Sequence, residues 1–302
     1  MIKHADSKHL TDWIEPNSID LTVTSPPYGN AIDYGVHSNG NPIQRYRGNK
    51  IWKSVEEYVN EITSIFEQVR LVTKKGGYCC IVIGYEVVHA QIIPLPSHLI
   101  TTILKQQEGK SEDERWILRE EIIWNKVTAG RNGAGNRFGV TIMNPYATYY
   151  HANVMHEYIF ILSKGLPRIK REEAREHMQK LVIDDEMKRE IANSTWHIQP
   201  EEWTFAPVPP RSVDHPAPFP EQMAWRLITL FSNPNDIVLD PFNGSGTTTK
   251  VANHMGRRYI GVDIIKEYCN VALDRMKEPL NLSTKLWVQK WGSKRNETEF
   301  DK

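Results

Sequence analysis

Residues 236–263 constrain the fold more tightly than any other part of the chain. Asp236-Ile237-Val238-Leu239-Asp240 is an apolar run ending in an acid. The turn Pro241-Phe242-Asn243-Gly244-Ser245-Gly246 follows, and Thr247 or Thr248 is placed to cap a helix running to about Met255, with Gly256 past its end. Arg258-Tyr259-Ile260-Gly261-Val262-Asp263 then reads as a second strand, ending in an acid 23 residues after Asp240. This is a βαβ unit with a nucleotide-type loop, and it calls for a parallel sheet. Gly244 and Gly246 allow a ligand to approach the backbone closely. Asp263 is placed to accept hydrogen bonds from a ribose diol. The dinucleotide pattern G-x-G-x-x-G is broken, because Thr249 stands where its third glycine belongs.

A second motif lies far upstream. The alternating run Ile19-Asp20-Leu21-Thr22-Val23-Thr24 reads as a short strand entering the core, and Ser25-Pro26-Pro27-Tyr28 follows it. Each proline fixes its own φ, lacks an N–H and pushes the residue before it toward extended geometry. The tetrapeptide is therefore a stiff segment at a strand end, with carbonyls aimed in fixed directions. Tyr28 sets a flat ring and a hydroxyl beside those acceptors, which suits a planar base bearing an exocyclic amine.

Together these motifs resemble those of the DNA amino-methyltransferases. Thr24-Ser25-Pro26-Pro27-Tyr28 is similar to their catalytic motif. Asp240-Pro241-Phe242-Asn243-Gly244-Ser245-Gly246-Thr247-Thr248 resembles their S-adenosylmethionine loop. His215-Pro216-Ala217-Pro218-Phe219-Pro220 resembles the segment that cradles the methionine end of that cofactor. The catalytic motif precedes the cofactor motif, the permuted order of the β group. The resemblance covers roughly residues 18–84, 118–164 and 194–275. It implies the Rossmann-like class I methyltransferase fold, S-adenosylmethionine as cofactor, double-stranded DNA as substrate and, as an occasional companion, a separate restriction endonuclease. The Ser form of the tetrapeptide resembles enzymes acting on cytosine N4, and the Asp form is typical of adenine N6.

Charge is balanced overall, with 37 basic and 37 acidic residues, so no global field draws the chain to nucleic acid. Local charge is more telling. Residues 34–55 carry Arg45, Arg47, Lys50 and Lys53 without an acid, and residues 122–156 carry Lys126, Arg131 and Arg137 without one. Glycine, asparagine (Asn132 among them) and aromatic residues are interleaved. Such stretches can follow phosphates and read base edges, or they can be solvated loops. The three cysteines, Cys79, Cys80 and Cys269, show neither metal-ligand spacing nor a disulfide framework, so no metal is expected and the compartment reads as reducing and cytoplasmic. Strand cysteines in an apolar run also disfavour methylation at cytosine C5, which needs an activated thiolate. The N-terminus is polar and no long apolar run suggests a membrane span.

Between the motifs, strand and helix alternate. Val55–Val72 has helical spacing, with Gly76-Gly77 breaking it; Tyr78–Ile83, Ile117–Trp124 and Glu157–Leu162 read as strands; Ser97–Lys105 and Glu221–Phe231 read as helices. The pattern predicts an α/β, doubly wound, mostly parallel sheet. The core spans residues 1–165 and 193–282. Residues 166–192 are either a small target-recognition insert or a solvated helix pair. Residues 29–53 are expected to form a mobile DNA-facing loop, 193–220 an ordered loop leading to the cofactor, and 283–302 a tail.

For chemistry, an exocyclic amine is a poor nucleophile because its lone pair is delocalised into the ring. Acceptors on its two N–H bonds favour the tetrahedral nitrogen that attack requires. The Ser25 hydroxyl oxygen and the Pro26 carbonyl are assigned that role, with Tyr28 stacking on a flipped base. On the cofactor side, Thr24, Phe219, Pro220, Pro241, Asn243, Ser245 and Thr247 join His215, Pro216 and the glycines. Asp240 orients the loop or binds the methionine ammonium, and Phe242 packs near the adenine or the methionine chain. A dinucleotide-dependent oxidoreductase and a non-catalytic DNA-binding protein are the competing classes.

Overall fold

The computed structural model describes residues 1–29, 52–88, 91–125, 156–167, 192–197, 219–280 and 282. Its strands are β1 (Ile2–His4), β2 (Ile19–Thr24), β3 (Thr73–Ile83), β4 (Glu86–Val88), β5 (Gln91–Ile93), β6 (Trp116–Asn125), β7 (His156–Lys164), β8 (Thr195–His197), β9 (Ile237–Asp240) and β10 (Arg258–Asp263). The helices are α1 (Val55–Val72), α2 (Leu95–Lys105), α3 (Glu221–Phe231), α4 (Thr247–His254) and α5 (Lys266–Arg275). Eight strands form one sheet in the order β1-β10-β9-β2-β3-β7-β6-β8, and β4 and β5 make a separate hairpin. β7 runs antiparallel to β3 and β6, and the other pairings within the large sheet are parallel.

Alternation along the strands feeds two cores. Cys79, Ile81, Ile83, Phe160 and Leu162 face α1 and α2. Cys80, Val82, Ile159 and Ile161 face α3 and α4. Helix α1 is capped by Ser54, whose hydroxyl accepts from the Glu57 amide, and buries Tyr58, Val59, Ile62, Phe66 and Val69 along one face. The strand leading into the Ser25–Tyr28 tetrapeptide and the strand leading into the glycine-rich loop are neighbours, β2 lying beside β9 with Leu21 opposite Val238 and Thr22 opposite Leu239. From β2 the chain leaves for α1 on one face of the sheet; from β9 it leaves for α4 on the other. Divergent crossovers at adjacent parallel strands open a crevice at their carboxyl ends, the usual ligand position in such sheets.

Three expectations need correction. Helix α1 stops at Val72, because Thr73 already has extended geometry; Gly76 and Gly77 lie inside β3, beside the register irregularity opposite Ile19 and Leu21. Helix α4 is capped by Gly246 in the left-handed region (φ 81), without a side-chain cap, so Thr247 is its first residue rather than its cap. The stretch expected as loop from 193 contains β8, paired in parallel with β6. Residues 30–51 of the expected mobile loop lie outside the described residues; Gly29 before them is buried, and after them Trp52 is buried with its Nε1 donating to Glu61 Oε2 at 2.7 Å. No described helix is long and apolar enough to cross a membrane.

Candidate active site

The two motifs are separated by more than two hundred residues in sequence, yet their ends touch. Thr24 Oγ1 donates to Asp240 Oδ1 at 2.6 Å, and both groups are buried. Thr248 Oγ1, in the first turn of α4, donates to the Val23 carbonyl at 3.1 Å. The stiff tetrapeptide and the glycine-rich loop are thus fixed side by side at the crevice.

The loop is held along its length. The Phe242 amide donates to Asp240 Oδ1 at 3.1 Å, the Asn243 amide to the Val262 carbonyl at 2.9 Å, and the Gly244 amide to Asp263 Oδ2 at 2.7 Å. Ser7 Oγ donates to the Pro241 carbonyl at 2.6 Å, bringing the N-terminal turn under the loop. Phe242 is half-buried, its ring 6.3 Å from that of Phe66. Arg275 of α5 donates through Nη1 to the Ser245 carbonyl at 2.9 Å, to Ser245 Oγ at 3.0 Å and to Thr247 Oγ1 at 3.3 Å. Through Nη2 it also reaches Glu221 Oε1 at 2.9 Å, which pairs in turn with Lys250 Nζ at 2.5 Å. Glu221 follows Pro220 directly, so this buried cluster ties the start of α3 to the loop. Phe219 is half-buried against the second core, and Pro220 is buried.

Burial pushes Asp240 and Asp263 up to about 6, although each carboxylate accepts hydrogen bonds that favour ionisation. Asp263 Oδ1 also accepts from the Ile265 amide at 2.8 Å. A carboxylate offers about four lone-pair sites, so the backbone bonds from Gly244, Ile264 and Ile265 leave Asp263 room for a further donor. Among the described residues the buried Asn243 Nδ2 group has no partner, while its Oδ1 accepts from Thr249 Oγ1 at 3.0 Å.

On the tetrapeptide side, Ser25 Oγ donates to Tyr28 Oη at 3.1 Å, and Tyr28 Oη donates to Glu157 Oε2 at 2.7 Å. Tyr58 Oη donates to the Pro27 carbonyl at 2.7 Å. Gly84, just past β3, makes room for the ring: a Cβ there would lie 3.0 Å from Tyr28 Cε2 and 3.1 Å from Glu157 Cγ. Sequence reasoning missed Glu157, Gly84, Tyr58 and Arg275. Glu157 carries no local signal beyond being an acid at the mouth of an apolar strand. The structure brings together Thr24, Ser25, Pro26, Pro27, Tyr28, Asp240 to Thr247 and Asp263. His215, Pro216, Arg45, Arg47, Lys50, Lys126, Arg131, Asn132, Arg137, residues 168–191 and the tail from 283 lie outside the described residues. Lys53 is described and exposed. Among the described residues no cluster of His, Cys, Asp or Glu could hold a metal. Burial raises Cys79 and Cys80 far above the usual thiol range, and Cys269 to about 11.

Residues 19–274 match the family model of the N6/N4 methyltransferases, described as DNA methylase. The type II methyltransferase M.SmaI of Serratia marcescens is 26% identical over 292 residues, spanning 90% of this chain and 88% of that one. A DNA modification methylase of Thermus thermophilus superposes with a TM-score of 0.62 at 25% identity, covering 91% of this chain and 93% of the other. The PvuII DNA methyltransferase, described as cytosine-N4-specific, shares the fold with a TM-score of 0.62 at 18% identity, covering 97% of this chain and 91% of its own.

Proposed function

This chain belongs to the N6/N4 DNA methylase family, and we propose that it methylates the exocyclic N4 amine of cytosine in double-stranded DNA, with S-adenosylmethionine as donor. The observation that carries this reading is the Thr24–Asp240 hydrogen bond of 2.6 Å, which sets an amine-binding tetrapeptide against a nucleotide-type loop. When bound, S-adenosylmethionine supplies an electrophilic methyl on a sulfonium. The loop residues fit such a group: Asp263 keeps acceptor capacity for a ribose hydroxyl and, among the described residues, the Asn243 amide nitrogen has no partner, whereas the missing side chain of Gly246 admits Ala272 of α5, whose Cβ a side chain there would meet at 2.6 Å. Asp240 holds the loop to β2 through Thr24, and Phe242 packs beside it. His215 and Pro216 are assigned to the methionine end by resemblance.

Ser25 and the Pro26 carbonyl accept from the target amine, and Tyr28 stacks on the base after it leaves the duplex. Held by those two acceptors, the amine nitrogen would present its lone pair to the side of the crevice where the glycine-rich loop would hold the methyl donor. Fixed acceptors stabilise the positive charge that builds on nitrogen, and in-line placement contributes through proximity. The raised thiols of Cys79 and Cys80 favour an amine product over C5 methylation. Cytosine is preferred to adenine because the tetrapeptide begins with Ser, and the PvuII neighbour described as N4-specific supports the choice. Adenine N6 is the second reading. The basic residues Arg45, Arg47, Lys50, Lys53, Lys126, Arg131 and Arg137, with Asn132, are proposed to contact DNA, and residues 166–192 to recognise the target. A cytoplasmic location and a separate restriction endonuclease fit the type II relative. Labelled methyl transfer to duplex DNA, lost in Ser25→Ala, tests the reading; transfer to RNA or protein alone would reject it.

Two effects follow from the geometry. Gly84→Ala should press on the Tyr28 ring and slow methyl transfer by about 10- to 100-fold, the scale for misplacing reacting groups. Cofactor affinity should stay unchanged, and a normal transfer rate would remove Gly84 from the account. The second effect concerns pH. Ribose hydroxyls donate to the ionised form of Asp263, whose value in the free protein is raised to about 6 by burial. Cofactor binding therefore lowers that value, so affinity is full above about 6 and weakens below it. The dissociation constant should rise by up to about tenfold per pH unit on the acid side. Asp263→Asn should flatten that limb in calorimetry, and an affinity constant from pH 5 to 7.5 would take Asp263 out of the site.

A further inference from the structure

Glu157 sits at the N-terminal end of β7, where that strand runs antiparallel to β3 and its first residues rise beside Gly84. Glu157 as a residue is 7% exposed, far less than an acid at a strand mouth usually is. Its Oε2 accepts from Tyr28 Oη at 2.7 Å, and Tyr28 Oη accepts from Ser25 Oγ at 3.1 Å. The direction of this chain is fixed at one end. An ionised carboxylate has no proton to give, so Tyr28 must donate to it. The tyrosine oxygen then presents a lone pair to Ser25, and the single proton of Ser25 is taken up in that bond. Ser25 Oγ is left with lone pairs and no free proton.

We propose that Glu157 is a positioning residue that keeps Ser25 an acceptor: through Tyr28 it holds the serine proton away from the target amine, so that the amine N–H meets a lone pair. The inference rests on the amino-methyltransferase reading and deepens it. Without the carboxylate, Tyr28 is free to turn its proton toward Ser25. Ser25 then turns its own proton outward, where it opposes the N–H of the amine. The tetrapeptide keeps its shape and the ring its stacking face, but the acceptor required by the attacking nitrogen is lost part of the time.

The test is single-turnover methyl transfer to duplex DNA with wild type, Glu157→Gln, Tyr28→Phe and the double variant. Cofactor and DNA affinity are measured on each. Glutamine keeps the shape and can present either an oxygen or an NH2, so the direction is no longer fixed. Glu157→Gln should transfer about 10- to 100-fold more slowly, the scale for losing a hydrogen bond to a charged group. Both affinities should remain within about twofold. Tyr28→Phe keeps the ring and should lose a similar factor. In the Tyr28→Phe background, Glu157→Gln should change the rate by less than about twofold, because Glu157 acts through the hydroxyl already removed. A wild-type rate in Glu157→Gln, or multiplicative losses in the double variant, overturns the inference alone. A wild-type chain that transfers no methyl to DNA overturns both the inference and the reading beneath it.

Discussion

Glu221→Ala is expected to lower folding stability by about 3–5 kcal/mol, the range for removing one partner of a buried ion pair. Glu221 lies at the first turn of α3 with a side chain 2% exposed, and its Oε1 meets Lys250 at 2.5 Å and Arg275 at 2.9 Å. Lys250 is 2% exposed and Arg275 6%. Each has a second ionic partner in Glu278, but that carboxylate is half-exposed and farther away, at 3.4 Å from Lys250 and 3.6 Å from Arg275. Deleting Glu221 leaves two buried cations poorly compensated beneath the loop. Because Arg275 also holds Ser245 and Thr247, the loss should extend to cofactor affinity. Urea unfolding checks the first effect, and a change below about 1 kcal/mol would mean that Glu278 or solvent takes over.

Tyr28→Ala is expected to lower kcat/KM for DNA methylation by about 100- to 1,000-fold. Base stacking on an aromatic ring is worth about 1–3 kcal/mol, and the hydrogen bonds through the hydroxyl add to it. The cofactor dissociation constant should stay within about twofold, since the loop is held by Thr24, Ser7, Asp263 and Arg275 and not by Tyr28. Steady-state kinetics beside calorimetry separates the two. Equal losses in activity and cofactor affinity would show that the substitution damages the crevice as a whole, and would remove the stacking role.

Where the sequence carries strong periodicity, the structure follows it closely. Val55–Val72 and Glu221–Phe231 are helices at the expected bounds, and Ile19–Thr24 is a strand at the expected bounds. Tyr78–Ile83 and Glu157–Leu162 were legible as strands but short, because Thr73, opposite Ile19 across a register irregularity, extends β3 backward and Ser163 and Lys164 join the ladder opposite Ile117 and Trp116. Ile2–His4 is a strand only because it lies against Gly261–Asp263, and three residues carry no periodicity of their own. The same holds for Thr195–His197 beside β6. At the site, the motif residues were legible because their types are unusual in sequence: two adjacent prolines, a glycine-rich turn, acids at strand ends. Glu157 and Arg275 were not. Their significance lies in contacts with Tyr28, 129 residues away, and with Ser245, 30 residues away, and nothing in their own neighbourhoods announces it. The cap of α4 was misread for a related reason. Two threonines offer caps, but the left-handed turn of the loop puts Gly246 at that position first.

The central claim is the atom that receives the methyl group. Duplex DNA methylated by the purified chain with S-adenosylmethionine is digested to nucleosides and measured by mass spectrometry against authentic standards. The expected product is N4-methylcytosine, absent from DNA treated with Ser25→Ala. N6-methyladenine alone would contradict the cytosine assignment while keeping the amine chemistry, and C5-methylcytosine would contradict both.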